Sequence, residues 1–234
     1  MLSGLTWLGL EVKYLDRART FYERDLDLQV AEVGEDTVQY DVGESAIVLR
    51  RPSGVPRGGI HTHYALSIPA DTYDDWWDRL SDRHDLDEST FGTVKSLYCY
   101  DPDGNCVELG QQDVSGPGID GIFEIALEVT DLERAERWYG SLGFETVDRG
   151  TDRRRVRMHG PMALELWEPQ LGIADARGGV HVDIGFRTPD LDRVAAAVRN
   201  RACSIERSGD TVTVRDHDGH LLTFESENGT RTDE

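Results

Sequence analysis

Along the first dozen residues apolar and polar positions alternate. Leu8, Leu10 and Val12 fall opposite Trp7, Gly9 and Glu11, the two-residue period of a strand with one face on a core. The period then lengthens: Leu15, Ala18, Phe21, Tyr22 and Leu26 recur at helical spacing over 14–28, so a strand passes directly into an amphipathic helix. Alternation returns over 37–40 and 45–50, separated by Gly43, with a further short strand placed around 29–33. This first unit reads β-α-β-β-β.

A stretch rich in glycine and proline, 52–59, ends that unit, and the pattern restarts. A strand is predicted over 60–68 and a helix over 70–80 with Tyr73, Trp76, Trp77 and Leu80 as its apolar stripe. Strands follow over 96–100 and 106–110. After 113–120, a linker by composition, residues 121–129 repeat the first strand, and 131–144 repeat the first helix with Trp138-Tyr139 in the place of Phe21-Tyr22. Ala163-Leu164-Glu165-Leu166-Trp167-Glu168-Pro169 matches Ala46-Ile47-Val48-Leu49-Arg50-Arg51-Pro52, and His181-Val182-Asp183-Ile184-Gly185-Phe186 matches His61-Thr62-His63-Tyr64-Ala65-Leu66. The second half is therefore a diverged copy of the first, and the expected division is 1–112, a linker 113–120, 121–227 and a tail 228–234. Alternating strands and helices of this kind predict an α+β chain built from four tandem βαβββ units.

One phrase closes each half. Asp101-Pro102-Asp103-Gly104-Asn105 makes a tight turn and feeds Cys106-Val107-Glu108-Leu109, a strand whose Cys106 and Glu108 share a face. The same phrase recurs as Asp216-His217-Asp218-Gly219-His220 before Leu221-Leu222-Thr223, with threonine where the glutamate was.

Charge narrows the function. Acidic residues number 45 against 25 basic ones, a formal charge of −20, and Lys13 and Lys95 are the only lysines. Such a surface repels nucleic acid and anionic membranes, so neither is an expected partner. It reads as a halophilic surface, adapted to very high salt, with a cation-binding acidic face as the alternative. No apolar run approaches a membrane span and the N-terminus lacks a basic region followed by an apolar stretch, which predicts a cytoplasmic protein. Cys99, Cys106 and Cys203 lack metal-type spacing and read as reduced thiols.

The order of units, the aromatic pair on each leading helix and the closing Asp-Pro-Asp-Gly-Asn-x-x-Glu resemble the vicinal oxygen chelate superfamily. That group includes glyoxalase I, fosfomycin-resistance proteins, extradiol dioxygenases and bleomycin-binding proteins. The resemblance implies two glyoxalase-like domains with curved mixed sheets and flanking helices. It also implies a divalent metal between paired units, held from the first and fourth strands of each. Those positions read Trp7 and Val48, His63 and Glu108, Glu124 and Glu165, and Asp183 and Thr223 in the four units. Pairing within halves would give a two-ligand remnant and an all-carboxylate cluster. Pairing across halves would collect His63, Glu108, Glu124 and Glu165 in one site and leave Trp7, Val48, Asp183 and Thr223 without a ligand set.

By that resemblance the four collected residues would bind Mn²⁺, Fe²⁺, Ni²⁺ or Mg²⁺ as readily as Zn²⁺. Such a metal would polarise a small substrate bearing adjacent oxygens, while Glu108 or Glu124 moves a proton α to a carbonyl in lyase or isomerase style. Family glyoxalases usually carry histidine or glutamine at the position of Glu124. Read without the family pattern, a glutamate in an apolar strand faces solvent or pairs with an arginine, and a His61/His63 pair two residues apart is more often structural. Three other readings stand beside the glyoxalase one: an extradiol-type dioxygenase, a fosfomycin-type thiol or water addition, and a metal-free module stacking a flat ligand on Trp7, Tyr98, Tyr100 and Trp167. The duplicated chain is expected to work as a monomer or a homodimer.

Overall fold

The four βαβββ units are present in a computed structural model that describes residues 1–52, 62–152, 154–168 and 182–227. The first comprises β1 (Gly4–Glu11), α1 (Leu15–Arg19), β2 (Val30–Val33), β3 (Thr37–Val42) and β4 (Ser45–Arg50). The second comprises β5 (Thr62–Pro69), α2 (Tyr73–Ser81), β6 (Asp87–Phe91), β7 (Val94–Tyr100) and β8 (Cys106–Gln112). The third holds β9 (Gly121–Glu128), α3 (Leu132–Ser141), β10 (Glu145–Arg149), β11 (Arg155–His159) and β12 (Ala163–Trp167). The fourth holds β13 (Val182–Thr188), α4 (Leu191–Val198), β14 (Ser204–Ser208), β15 (Thr211–Arg215) and β16 (Leu221–Ser226). The helix predicted over 14–28 is α-helical only through α1 and continues as a π-helical segment, Thr20–Asp25. His61, Pro169 and His181 lie outside the described residues.

The strands form two eight-stranded mixed sheets. One runs β14-β15-β16-β13-β1-β4-β3-β2 and joins the first unit to the fourth; the other runs β10-β11-β12-β9-β5-β8-β7-β6 and joins the second to the third. Each half of the chain thus gives one unit to each sheet. Within a unit the first strand lies parallel to the fourth, and at the centre of each sheet the two first strands meet antiparallel: β1 with β13, β5 with β9.

One face of each central strand is apolar and fully covered. Tyr64, Leu66 and Ile68 on β5, and Ile125 and Leu127 on β9, have no exposed surface, as do Leu8 and Leu10 on β1. Burial of such side chains contributes about 1.5–3 kcal/mol each and is the main force holding the helices to the sheets. The alternate face carries the polar residues on which function turns.

The aromatic pairs and the closing turns explain each other. Tyr22, fully buried, stacks on Tyr40 of β3, with ring centroids 5.8 Å apart, and donates to Asp101 Oδ2 at 2.9 Å; its hydroxyl also lies 2.6 Å from that of Tyr64 on the other sheet. Tyr139 repeats the arrangement, donating to Asp216 Oδ2 at 3.1 Å. In each turn the aspartate's other oxygen accepts two backbone N–H groups, from Asp103 and Asn105 in the first and from Asp218 and His220 in the second. Asp103 in turn accepts the Lys13 N–H at 2.7 Å, just after β1, and Asp218 accepts the Thr130 N–H at 2.8 Å, just after β9. The closing turn of one unit is therefore fastened to the strand-helix junction of the unit before it. These contacts tie the two sheets together within each half, whereas the strand pairing ties the halves together.

Candidate metal centre

Register decides which polar side chains meet on the open face of the second sheet. His63 sits opposite Ala126 and Ala65 opposite Glu124 in the β5·β9 pair, while Glu108 on β8 lies beside Ala65 and Glu165 on β12 beside Ala126. Strand alternation turns all four long side chains to one face, and the two alanines between them leave room above the sheet.

Three of the four converge. One ligand atom from each of His63, Glu108 and Glu124 lies within 4.8 Å of the others, the spacing of a set able to hold one cation. His63 Nε2 is 3.1 Å from Glu108 Oε2 and 3.9 Å from Glu124 Oε1. Both glutamates are buried, and the His63 side chain keeps 17 % of its surface exposed, so solvent reaches the group through the imidazole. One imidazole and two carboxylates form a donor set that fits a divalent first-row ion or zinc. Tyr98 on β7 stacks on His63 at 5.9 Å between centroids, and together with Ser96 hydrogen-bonds to Glu108. Tyr98 therefore orients the imidazole and the carboxylate together.

Glu165 lies apart from that group. Its Oε1 accepts from Arg157 Nη1 at 3.0 Å and Arg155 Nη1 at 3.2 Å, and its Oε2 accepts from the Trp167 indole N–H at 2.9 Å. Arg157 Nη1 also lies 2.5 Å from Glu124 Oε2, so this one guanidinium bridges two of the carboxylates predicted from sequence. Trp167 and Tyr98, read from sequence as stacking surfaces, act here as hydrogen-bond donors and as a wall to His63. Arg155 and Arg157 were missed. Their signal was present, since in Arg155-Val156-Arg157-Met158 the period of two places both arginines on the face of Glu165, with Arg157 directly opposite it and Arg155 opposite Trp167 in the β11·β12 pair.

The local fields differ between the two glutamates. Burial works against the Glu108 carboxylate, but His63, Ser96 and Tyr98 outweigh it and hold its pKa below the ordinary value. Burial also opposes the His63 cation, yet contacts with Cys106 and Glu108 raise its pKa to about 10. His63 and Glu108, 3.1 Å apart, each favour the other's charged form. Glu124 goes the other way: burial first, then the charge of Glu165, push its pKa up to about 7, against the pull of Arg157 and His63. A carboxyl group poised near neutrality is suited to general acid-base work.

The matching face of the first sheet is filled. A Cβ on Gly185 would collide with the Trp7 ring, which lies over that glycine in the β1·β13 register. Asp183 is held by Arg50 at 3.1 Å and by the Thr223 hydroxyl at 3.2 Å, and Val48 offers no donor. Elsewhere, His220 is fully buried and paired to Asp216 at 2.8 Å, and His84 pairs with buried Asp25 at 3.0 Å.

With fold and site in view, comparison with known proteins shows what the chain is similar to. A sequence model of the Glyoxalase/Bleomycin resistance protein/Dioxygenase superfamily matches residues 4–109. Residues 4–109 therefore carry a domain of that superfamily's type. Among curated relatives, metallothiol transferase FosB of Lysinibacillus sphaericus is 28 % identical over 118 residues, 46 % of this chain and 82 % of that protein. FosB of Staphylococcus epidermidis is 25 % identical over 116 residues, covering 47 % and 84 %. Two solved structures share the fold over nearly the whole chain. A glyoxalase I mutant from Zea mays has a TM-score of 0.70 at 20 % identity, covering 95 % of this chain and 92 % of that one. A putative dioxygenase from Bacillus subtilis has 0.74 at 17 %, covering 97 % and 86 %. Among the described residues no helix is long and apolar enough to cross a membrane.

Proposed function

We propose that this protein is a metal-dependent enzyme that moves a proton α to a carbonyl on a small oxygen-chelating substrate, as glyoxalase-type lyases and isomerases do. The observation that carries the reading is the convergence of His63, Glu108 and Glu124 within 4.8 Å on the open face of the second sheet. Those three residues would hold the ion. When bound, it supplies Lewis-acid polarisation of the substrate's oxygens.

The chain's own residues supply the rest. Glu124, a loosely held third ligand with its pKa raised to about 7, takes the proton from the substrate carbon and returns it to the neighbouring carbon, while the hydroxyl proton passes to the former carbonyl oxygen, so no net charge is left behind. Glu108, held as a carboxylate by His63, Ser96 and Tyr98, stays ionised through that exchange. Tyr98 stacks on His63, the member of the group that solvent reaches.

Two measurements test the reading. Elemental analysis of protein purified in high salt without chelator should find near-stoichiometric metal, lost in His63→Ala and Glu108→Gln. Incubation of α-hydroxycarbonyl or hemithioacetal compounds in D₂O should give deuterium at the α-carbon with the wild type and none with Glu124→Gln. Metal absent even after reconstitution would sink the proposal.

A second reading is thiol addition, supported by the metallothiol transferase name of the curated relatives. It predicts stoichiometric consumption of a thiol and no dependence on Glu124 as a base.

A further inference from the structure

Arg157 bridges Glu124 of the metal group to Glu165. It stands on β11 directly opposite Glu165, and the pseudo-equivalent position on the other side of the site, opposite Glu108 on β7, is Tyr98. In the first sheet the corresponding positions, opposite Val48 and Thr223, are Gln39 and Thr213. One of the four equivalent positions therefore carries a permanent cation, and it is in the sheet that holds the His63, Glu108 and Glu124 group.

The contacts show what that cation does. Arg157 Nη1 sits 2.5 Å from Glu124 Oε2 and 3.0 Å from Glu165 Oε1, so it takes one oxygen from a residue of the metal group and draws Glu165 away from it. Glu124 Oε1 faces His63 and remains free for an ion. A guanidinium cannot lose its proton in a protein, so this charge cannot be titrated away to make room for a metal. Arg155 and the Trp167 indole hold Glu165 from the other side, so it has three donors without any ion.

We infer that Arg157 is a resident counter-cation that sets the affinity and coordination of the metal site, restricting Glu124 to one ligating oxygen and excluding Glu165 from the ligand set. The inference rests on the metal reading given under Proposed function. Removing the charge while keeping the side-chain length frees Glu124 Oε2 and takes away one of the three donors to Glu165, the one that faces the metal group. Keeping the charge with lysine preserves the restriction.

The test is a titration of metal-stripped protein with Mn²⁺, followed by calorimetry and by water-proton relaxation, which counts exchangeable waters on the ion. Arg157→Met should bind Mn²⁺ about tenfold more tightly than the wild type and lose one bound water, whereas Arg157→Lys should stay within about threefold of it. Glu165→Gln should leave wild-type affinity within about threefold but lower it about tenfold in the Arg157→Met background. Equal affinity in Arg157→Met and wild type, with metal bound to both, overturns the inference and leaves the metal reading standing. A large loss in Glu165→Gln alone also overturns it, and that arm decides the matter if Arg157→Met does not fold. No Mn²⁺ in any variant fells both, while binding in Arg157→Met alone upholds the suppression by Arg157 and fells the native-metal reading.

Discussion

The two sheets are built on one plan and differ in what stands on their open faces. In each, two antiparallel first strands set a large residue opposite a small one: His63 opposite Ala126 and Glu124 opposite Ala65 in the second sheet, Trp7 opposite Gly185 and Asp183 opposite Gly9 in the first. In the second sheet the space above the small residues is shared by three potential ligands. In the first it is taken by the Trp7 ring, and the one surviving acid is neutralised by Arg50 and Thr223. A backbone that can hold a metal is therefore not enough. Small residues must keep the middle of the face empty, and the acids must lack a stronger partner.

The largest test of this contrast is to disable each face in turn. His63→Ala or Glu108→Gln should lower metal affinity by roughly a hundredfold or more, because each removes a direct donor. Asp183→Asn and Thr223→Val, the same surgery on the first sheet, should leave metal content unchanged. Elemental analysis of the four proteins checks this, and a loss in either first-sheet variant would mean that the two faces are not independent.

Next in size is the packing that closes the first sheet. Trp7→Ala should cost about 2–4 kcal/mol by opening a cavity over Gly185. Gly185→Ala should cost about 1–3 kcal/mol by forcing the Trp7 ring off its seat. The two must not add in full: with Trp7 gone, the alanine still meets the Thr6 hydroxyl but no longer the ring, so Gly185→Ala should cost less in the Trp7→Ala background. Denaturant melts of the cycle read the coupling, and additive costs would show that Trp7 does not seal that face.

How far these features were legible from the chain follows from their physics. The four units were legible because alternation and helical spacing are local. The grouping of Glu108 with His63 came from strand parity and the family pattern. Which units pair is a long-range fact that no local period encodes; only the way the family's ligand positions sort pointed to pairing across halves, and the β5·β9 and β1·β13 registers have that arrangement. The partner of Glu165 was missed for a related reason. Arg155 and Arg157 look like two more solvated charges until the β11·β12 register places them opposite Glu165 and Trp167. The π-helical widening over Thr20–Asp25 has no sequence signature in the spacing of Phe21, Tyr22 and Leu26.

A smaller effect separates the two tyrosine fastenings. Tyr22 makes two buried contacts, to Asp101 and Tyr64, where Tyr139 makes one, to Asp216. Tyr22→Phe should cost about 2 kcal/mol and Tyr139→Phe about 1 kcal/mol, since the aspartate in each loses a donor and Tyr64 also loses the acceptor of its own hydroxyl. Thermal unfolding of the pair gives the ranking, and the reverse order would contradict the contact pattern.

The smallest effect, and the one with the sharpest sign, lies in the closing turns. Burial raises the pKa of Asp101, despite its bonds from Asn105 and Tyr22. Burial opposes the Asp216 carboxylate too, but the charge and hydrogen bonds of His220, which replaces Asn105 at the same place in the turn, carry its pKa below the ordinary value. The linkage signs are opposite. A carboxyl group depressed in the fold stabilises it above the unfolded-state pKa, and that contribution is lost as pH falls through the folded value. One raised in the fold binds its proton earlier when folded, so acidification through its folded pKa adds stability. Asp216→Asn should therefore flatten the loss of stability between neutral pH and acid, and Asp101→Asn should steepen it. Each change amounts to about 1 kcal/mol or less across the window. Urea midpoints of the two variants and the wild type, taken at a series of pH values, decide it. A shift of the same sign in both would mean that His220 does not distinguish the turns, and that the two fastenings differ only in their tyrosines.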